Sequence, residues 1–158
     1  MPDGFLLNDI KKGDPVNFRT LIYAKKEQLN LLHRALLWTV DGTHELVQEP
    51  YQQLVTIQAF VRCKGNIRLV PFVFAVMTSH TTVAYKEVFE TIINSFPPEW
   101  GPPKVQEVLC DFEAAIWAAL RAVIKIAIII RLSLLMALLL LHRAAAPRGS
   151  RLKIDCKI

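Results

Sequence analysis

Hydrophobic and polar positions change period several times along the chain, and each change predicts a different element. The first thirty-odd residues predict an irregular arm followed by a helix around Leu21 to Leu36. The run from Leu36 to Thr43 mixes aromatic and β-branched residues as buried strands do, and predicts a first strand. The apolar runs Leu54 to Val61 and Ile67 to Met77 flank a Lys-Gly-Asn turn, so they predict a hairpin of second and third strands.

Pro71 lies inside the third predicted strand. Proline has no backbone N–H to donate to a ladder, so it is confined to edge strands or to bulges. The sequence therefore predicts that the third strand is a sheet edge, with a bulge as the alternative.

The apolar period lengthens toward that of a helix between Thr81 and Phe96, which predicts an amphipathic helix capped by Thr81 or Thr82. Prolines and glycines then predict an exposed loop. The run Val105 to Cys110 predicts a fourth strand, and Glu113 to Val123 predicts a helix after it. This succession of strand, helix and strand predicts a crossover that returns the fourth strand, parallel, to the same sheet.

Composition places the chain among folded proteins and locates its positive charge. At 158 residues and 53% hydrophobic, the chain is long and apolar enough for one domain with a core, and its three cysteines form no CxxC motif. Residues 1–121 contain 12 Lys and Arg against 13 Asp and Glu, whereas residues 122–158 contain 7 against one. The net charge of +5 therefore belongs to the last part of the chain and does not indicate a basic face on the body.

The segment from Ala122 to Leu141 is almost entirely apolar and shows no polar face at helical spacing. As a helix of about 30 Å it is long enough to cross a bilayer, which would make the protein membrane-anchored. In the alternative that we favour, Lys125 to Arg131 completes the sheet as a fifth strand and Leu132 to Ala146 covers it as an apolar helix.

Two acids stand where apolar strands end, Asp41 in VDGT and Asp111 in LCDFE. Each has a structural interpretation, because Asp41 with Gly42 fits a type I′ turn and Asp111 fits a helix N-cap. The functional interpretation is that both carboxylates project from adjacent strands into one cleft and share a divalent metal. The glycine after Asp41 would then allow a ligand or a phosphate to approach closely.

Three stretches occur in a specific order between about Ala35 and Ile124: WTVDGTHELVQEPYQQLVTIQAF, VPFVFAVMTSHTTVAYKEVFETI and VLCDFEAAIWAALRAV. In this combination the chain resembles the central part of a Mutator-like element (MULE) transposase domain over roughly ninety residues. The resemblance implies an α/β, ribonuclease-H-like mixed sheet, incomplete here. In that sheet the first three strands pair in an antiparallel manner and the fourth is parallel to the first.

The same resemblance implies a metal-dependent DDE-type chemistry. In this family three acids bind Mg²⁺ or Mn²⁺ and drive DNA strand cleavage and transfer, with DNA as partner and the nucleus as the expected location. Asp41 resembles the first acid and Asp111 the second. The third acid is not identifiable, because Glu113 is only two residues beyond Asp111 and Asp155 lies in the basic tail.

The resulting expectation is a truncated, transposase-derived DNA-processing domain at residues 35–124, inactive or weakly active. An N-terminal arm and helix (1–34) precede it, and an apolar segment and basic tail (125–158) follow. A non-catalytic DNA-binding or interaction module and a small membrane-anchored protein are the alternatives. The abrupt change of composition after Val123 suggests a different coding frame, a splice variant or a degraded element. Transcript sequencing across the junction tests that hypothesis.

Other residues that could carry chemistry have simpler interpretations. His44 follows the DGT beside Glu45 and is expected to be a surface residue, and His80 has no ligand-spaced partner in the sequence. The tryptophans are interpreted as packing groups rather than base-stacking platforms, because no basic residues interleave with them. These are Trp38, Trp100 and Trp117.

Overall fold

The computed structural model describes residues 4–13, 18–44, 46–63, 66–111, 113–124, 128–131 and 154–155. Its strands are β1 (Leu6–Lys12), β2 (Phe18–Tyr23), β3 (Leu37–Thr43), β4 (Gln53–Cys63), β5 (Asn66–Met77) and β6 (Glu107–Cys110), with two short ones, β7 (Ile128–Arg131) and β8 (Ile154–Asp155). The helices are α1 (Lys26–Arg34), α2 (Thr82–Asn94) and α3 (Ala114–Val123), and Pro98–Trp100 form a single 3-10 turn. The protein is therefore of the α/β class.

Strands β1 to β6 form a mixed sheet in the order β1-β2-β5-β4-β3-β6. Within these six, only β3 and β6 are parallel neighbours. The short β7 adds in parallel to β6, and β8 pairs with the end of β4. The predicted pairings are present, since β3, β4 and β5 are consecutive antiparallel neighbours and β6 returns parallel to β3 through α2.

The prediction for the first thirty-odd residues was wrong in part. Instead of an irregular arm, β1 and β2 form an antiparallel pair that extends the sheet beyond β5, and the helix begins at Lys26 rather than near Leu21. The buried positions of β2 are Phe18, Thr20 and Ile22, which is a strand period of two. A buried threonine between apolar residues concealed that alternation in the sequence.

The predicted third strand, β5, is not a sheet edge along its whole length, although its pairing with β2 does not reach Pro71. The last part of β5 pairs with β2 from Phe74 to Met77, so that β5 has neighbours on both sides there. The predicted bulge is present, because the register between β4 and β5 shifts at this point. Ile57 is aligned with Val73, whereas the next residue, Gln58, is aligned with Pro71. The bulge removes the need for a proline N–H in the ladder.

The core lies on one face of the sheet, beneath α1, α2 and α3. Its largest fully buried side chains include Trp38, Tyr85 and Phe89. A smaller apolar cluster on the opposite face is formed by Leu37, Phe60 and Leu109. Because side chains alternate along a strand, β3 contributes Trp38 and Val40 to the first face and Leu37 to the second.

The crossover helix α2 begins as predicted. Thr81 is its N-cap, and the Thr81 Oγ1 atom accepts a hydrogen bond from the backbone N–H of Ala84 at 3.3 Å. Such a cap satisfies one of the N–H groups that the first helical turn leaves without an intrahelical partner. The loop that follows turns through Pro98–Trp100 and is exposed at Pro98 and Glu99, as predicted, while Trp100 is half-buried and packs against the core, as expected of a packing group.

The favoured interpretation of the apolar segment agrees with the position of β7, because residues 128–131 form a strand beside β6. Ala122 and Val123 are the last residues of α3. The helix predicted for residues 132–146 lies outside the described residues. Of the helices in the described part of the chain, none combines the length and apolar character that a bilayer crossing requires.

Candidate functional site

The two predicted acids lie at the same level of adjacent parallel strands. Val40 of β3 is aligned with Cys110 of β6, and Asp41 and Asp111 directly follow these two residues. Neighbouring strands are about 4.8 Å apart, so the two backbones are within reach of a shared ligand. Asp41 is half-buried and Asp111 is exposed. The fold thus places at neighbouring backbone positions two acidic residues that are seventy residues apart in sequence.

The structural interpretations of the two acids do not apply. Asp41 and Gly42 are extended residues within β3, aligned with Thr56 and Val55 of β4, and they form no tight turn. The N-cap of α3 is Glu113 rather than Asp111. The predicted type I′ turn at Asp41 and the predicted N-cap at Asp111 are therefore both wrong.

Uncharged polar groups surround Asp41 on its face of the sheet. Thr56, aligned with Asp41, donates from Oγ1 to the Asp41 carbonyl oxygen at 3.5 Å, and Gln58 donates from Nε2 to Thr56 Oγ1 at 2.8 Å. Asp41 forms no ion pair with any residue that the structure describes. Its negative charge is therefore not neutralised by a neighbouring Lys or Arg there.

A third acid does not join the pair in the part of the chain described. No group of three or more His, Cys, Asp or Glu residues within it has a geometry that could hold a metal ion. Asp155 is aligned with Arg62 of β4, six residues or about 20 Å along that strand from Thr56. Glu113 is engaged elsewhere, because its Oε2 atom accepts a hydrogen bond from the Tyr85 hydroxyl at 2.8 Å.

A buried polar network lies on the core side of the strand ends and was missed in the sequence. The Tyr85 hydroxyl is within 2.8–3.0 Å of both the amide nitrogen and the amide oxygen of Gln53, and it also reaches Glu113. Gln53 and Tyr85 are both fully buried. Burial is the main cause that raises the pKa of the Tyr85 phenol. The hydrogen bond with Gln53 lowers this pKa, and the hydrogen bond to Glu113 raises it further.

This network joins the three stretches that carry the transposase resemblance. Gln53 comes from the first stretch, Tyr85 from the second and Glu113 from the third. All three residues therefore lie in stretches that the sequence analysis singled out, but no pattern in the sequence predicted that they are in contact. The network ties the start of β4 to α2 and to the N-cap of α3, close after Asp111.

The Asp111 backbone has a further support. Trp117, one turn into α3, donates its indole N–H to the Asp111 carbonyl oxygen at 2.9 Å. This bond joins the backbone of Asp111 to the first turn of α3. Trp117 is thus a packing group, as predicted, with a polar function for its indole nitrogen.

Gly42 does not clear space beside Asp41. A Cβ atom at Gly42 would lie 3.6 Å from Gln53 Oε1, an ordinary contact toward the buried network, and its φ is not in the left-handed region. We expect Gly42→Ala to keep or raise the free energy of unfolding, by up to about 1 kcal/mol, since alanine restricts the unfolded chain. Urea unfolding of both proteins measures this, and a loss above that size would contradict the geometry.

The structure also brings two histidines together. The His44 and His80 rings are 6.5 Å apart and perpendicular, and each Nδ1 lies 3.2 Å from Gln52, at its carbonyl and side-chain oxygens respectively. Both are exposed, as the sequence predicted for His44. Two ligands of this kind do not complete a zinc site, which takes at least three protein ligands.

Comparisons of the chain with protein-family models, with curated proteins and with solved structures gave no match.

Proposed function

We propose that this chain is a transposase-derived DNA-processing domain of ribonuclease-H-like type, in which Asp41 and Asp111 bind Mg²⁺ or Mn²⁺. The observation that carries the proposal is their position directly after the last aligned pair of two parallel neighbouring strands. The strand order β5-β4-β3-β6 agrees with the sheet that the resemblance implies. Strand cleavage and transfer are the ancestral chemistry, and we propose that little of it remains.

The chemistry of the two side chains favours a hard divalent cation. Carboxylate oxygens are the ligands that Mg²⁺ and Mn²⁺ select, whereas thiolates and imidazoles suit softer metals. Mg²⁺ is commonly bound through one or two carboxylates together with waters and substrate phosphates. Two acids on neighbouring strands therefore suffice for a weak metal site, which a nucleic-acid phosphate would complete.

Metal binding by the full-length chain tests this proposal. Titration with Mn²⁺, followed by calorimetry and by the spin resonance of the free ion, should show saturable binding. Asp41→Asn and Asp111→Asn should each weaken it at least tenfold, because each removes one of two anionic ligands from the ion. Neutral asparagine keeps the size of the side chain, so circular dichroism and thermal unfolding should change little.

Glu90→Gln is the matched control, since it removes one carboxylate from the outer part of α2, where Glu90 pairs with Lys86 at 3.5 Å. This control should bind Mn²⁺ like the unmodified chain. Equal binding by all four proteins would show that Asp41 and Asp111 are not ligands, and the proposed metal site would then be abandoned.

A non-catalytic DNA-binding module is the second candidate. It is favoured by the two-ligand site, because the family chemistry uses three acids and the described residues supply no third one near the pair. A nicking assay on supercoiled DNA with Mn²⁺ separates the two. Nicking that both asparagine variants abolish supports catalysis, whereas DNA binding without nicking supports the second candidate.

A further inference from the structure

A concave surface lies beside α1, at the opposite ends of β3 and β6 from the two acids. It consists of two adjoining cavities of about 430 and 190 Å³, both lined by Asn30, Arg34 and Trp100. Lys26, Glu27 and Leu31 complete the larger cavity, and His33 and Lys104 the smaller. We call this surface the α1 groove.

The α1 groove carries a net positive charge. Lys26, Asn30 and Arg34 repeat at intervals of four along α1, so they follow one stripe about 12 Å long. Lys104 adds a third cation from the loop, and Glu27 is the acid among the lining residues. None of the three cations pairs with an acid in the part of the chain that is described. Their charges are therefore available to an anionic ligand.

Trp100 is held in a fixed position in this groove. Its ring lies 5.4 Å from the His33 ring and 6.3 Å from the Phe96 ring, measured between centroids. The loop is joined to α1 by a bond from the Lys104 N–H to the His33 carbonyl at 2.9 Å, and His33 Nε2 lies 3.1 Å from the Gly101 carbonyl oxygen. The Trp100 side chain therefore has little conformational freedom to lose when a ligand binds, and a small entropic cost favours binding.

We propose that the α1 groove binds single-stranded nucleic acid, with phosphates at Lys26, Arg34 and Lys104 and a base stacked on Trp100. Cations that follow the backbone beside an aromatic ring are the usual basis of such binding. An acidic peptide would use the cations but would gain nothing comparable from the indole. In the sequence only Lys104 of these three cations is near Trp100, because Lys26 and Arg34 are more than sixty residues away.

The proposal does not rest on the metal site. Leu37 begins β3 next to the end of α1, and Asp41 is about 13 Å further along the strand. Binding is therefore measured in EDTA, so that a failure of the α1 groove and a failure of the metal site are distinguished.

Fluorescence anisotropy with a labelled oligothymidylate of about twelve nucleotides is the experiment, on the full-length chain over a range of salt concentrations. The double variant Lys26→Ala/Arg34→Ala should weaken binding at least tenfold at low salt. It should also reduce the slope of log K against log salt by about 1.4, since each lost phosphate contact removes about 0.7 for a single strand.

Two further comparisons separate stacking and charge. Trp100→Leu should weaken binding about tenfold, whereas Trp100→Phe should retain most of it, because an aromatic face remains for the base. The control Lys86→Ala/Arg121→Ala removes the same charges from exposed positions on α2 and α3, and should change binding less than twofold. Circular dichroism confirms that each variant is folded.

Several results would overturn the proposal. These are no binding of the oligothymidylate, equal losses in the α1 groove variant and the control, and equal binding by Trp100→Leu and the unmodified chain. An oligoglutamate of matched charge that binds as tightly as the oligothymidylate would instead identify the groove as a site for acidic peptides.

Discussion

Replacing Trp38 with alanine should lower the free energy of unfolding by about 3–5 kcal/mol, which is the range for removing a large buried aromatic side chain. Trp38 is fully buried in β3, between Ala59 of β4 and Val108 of β6. Its indole N–H also donates to the Leu32 carbonyl in α1 at 3.0 Å. The midpoint of urea unfolding, followed by circular dichroism, measures the loss.

The size of this effect follows from where the side chain lies. Ala59 is small and cannot fill the space, so the variant leaves a cavity between the sheet and α1. Trp38→Phe is the control, since it keeps an aromatic ring and Leu32 O still accepts the Ala35 N–H at 3.1 Å. The free energy of unfolding should fall clearly less in the phenylalanine variant than in the alanine variant. Equal and small decreases in both variants would mean that Trp38 does not fill the core.

The second large effect is expected at Tyr85. Tyr85→Phe should lower the free energy of unfolding by about 1–3 kcal/mol, because it leaves the fully buried amide of Gln53 without its 2.8–3.0 Å partner. The double variant Gln53→Leu/Tyr85→Phe removes both polar groups. Its free energy of unfolding should fall by less than the sum of the decreases in the two single variants, because no unpaired amide is then buried.

The titration of Tyr85 gives the same network a dependence on pH. Burial raises the pKa of this phenol above its ordinary value of about 10, so the folded state favours the protonated form. The stabilisation is fully present below about pH 10 and is lost as the pH rises above it. Urea unfolding from pH 8 to 11 should therefore show a smaller loss of stability at high pH in Tyr85→Phe than in the unmodified chain. Parallel profiles would contradict this assignment.

The half of the fold that holds the acids could be predicted from local pattern. The strands from Leu37 to Thr43 and from Asn66 to Met77 and the helix from Thr82 to Asn94 are bounded by turn residues, a cap and clear periods. The short hairpin predicted the pairing of β4 with β5, and the crossover rule predicted that β6 returns to the same sheet. That β6 lies directly beside β3, next to Asp41, was only what the resemblance implied, and the structure has this pairing.

The first two strands could not be predicted in the same way. The alternation in β2 contains Thr20 at a fully buried position, and the sequence offers no short turn that joins β2 to its partner β5. Pairing between residues more than fifty positions apart depends on which sheet edge is left free. That edge exists only once the hairpin of β4 and β5 has formed.

The sequence by itself determined the hairpin of β4 and β5, the cap of α2 and which two acids follow apolar runs, since these depend on neighbours within a few residues. Only the tertiary structure decided that Gln53, Tyr85 and Glu113 meet, and that Lys26 and Arg34 lie beside Trp100. The physical reason is that side-chain contacts between distant segments follow from how helices pack on the sheet. Period and composition describe one element at a time and do not contain that packing.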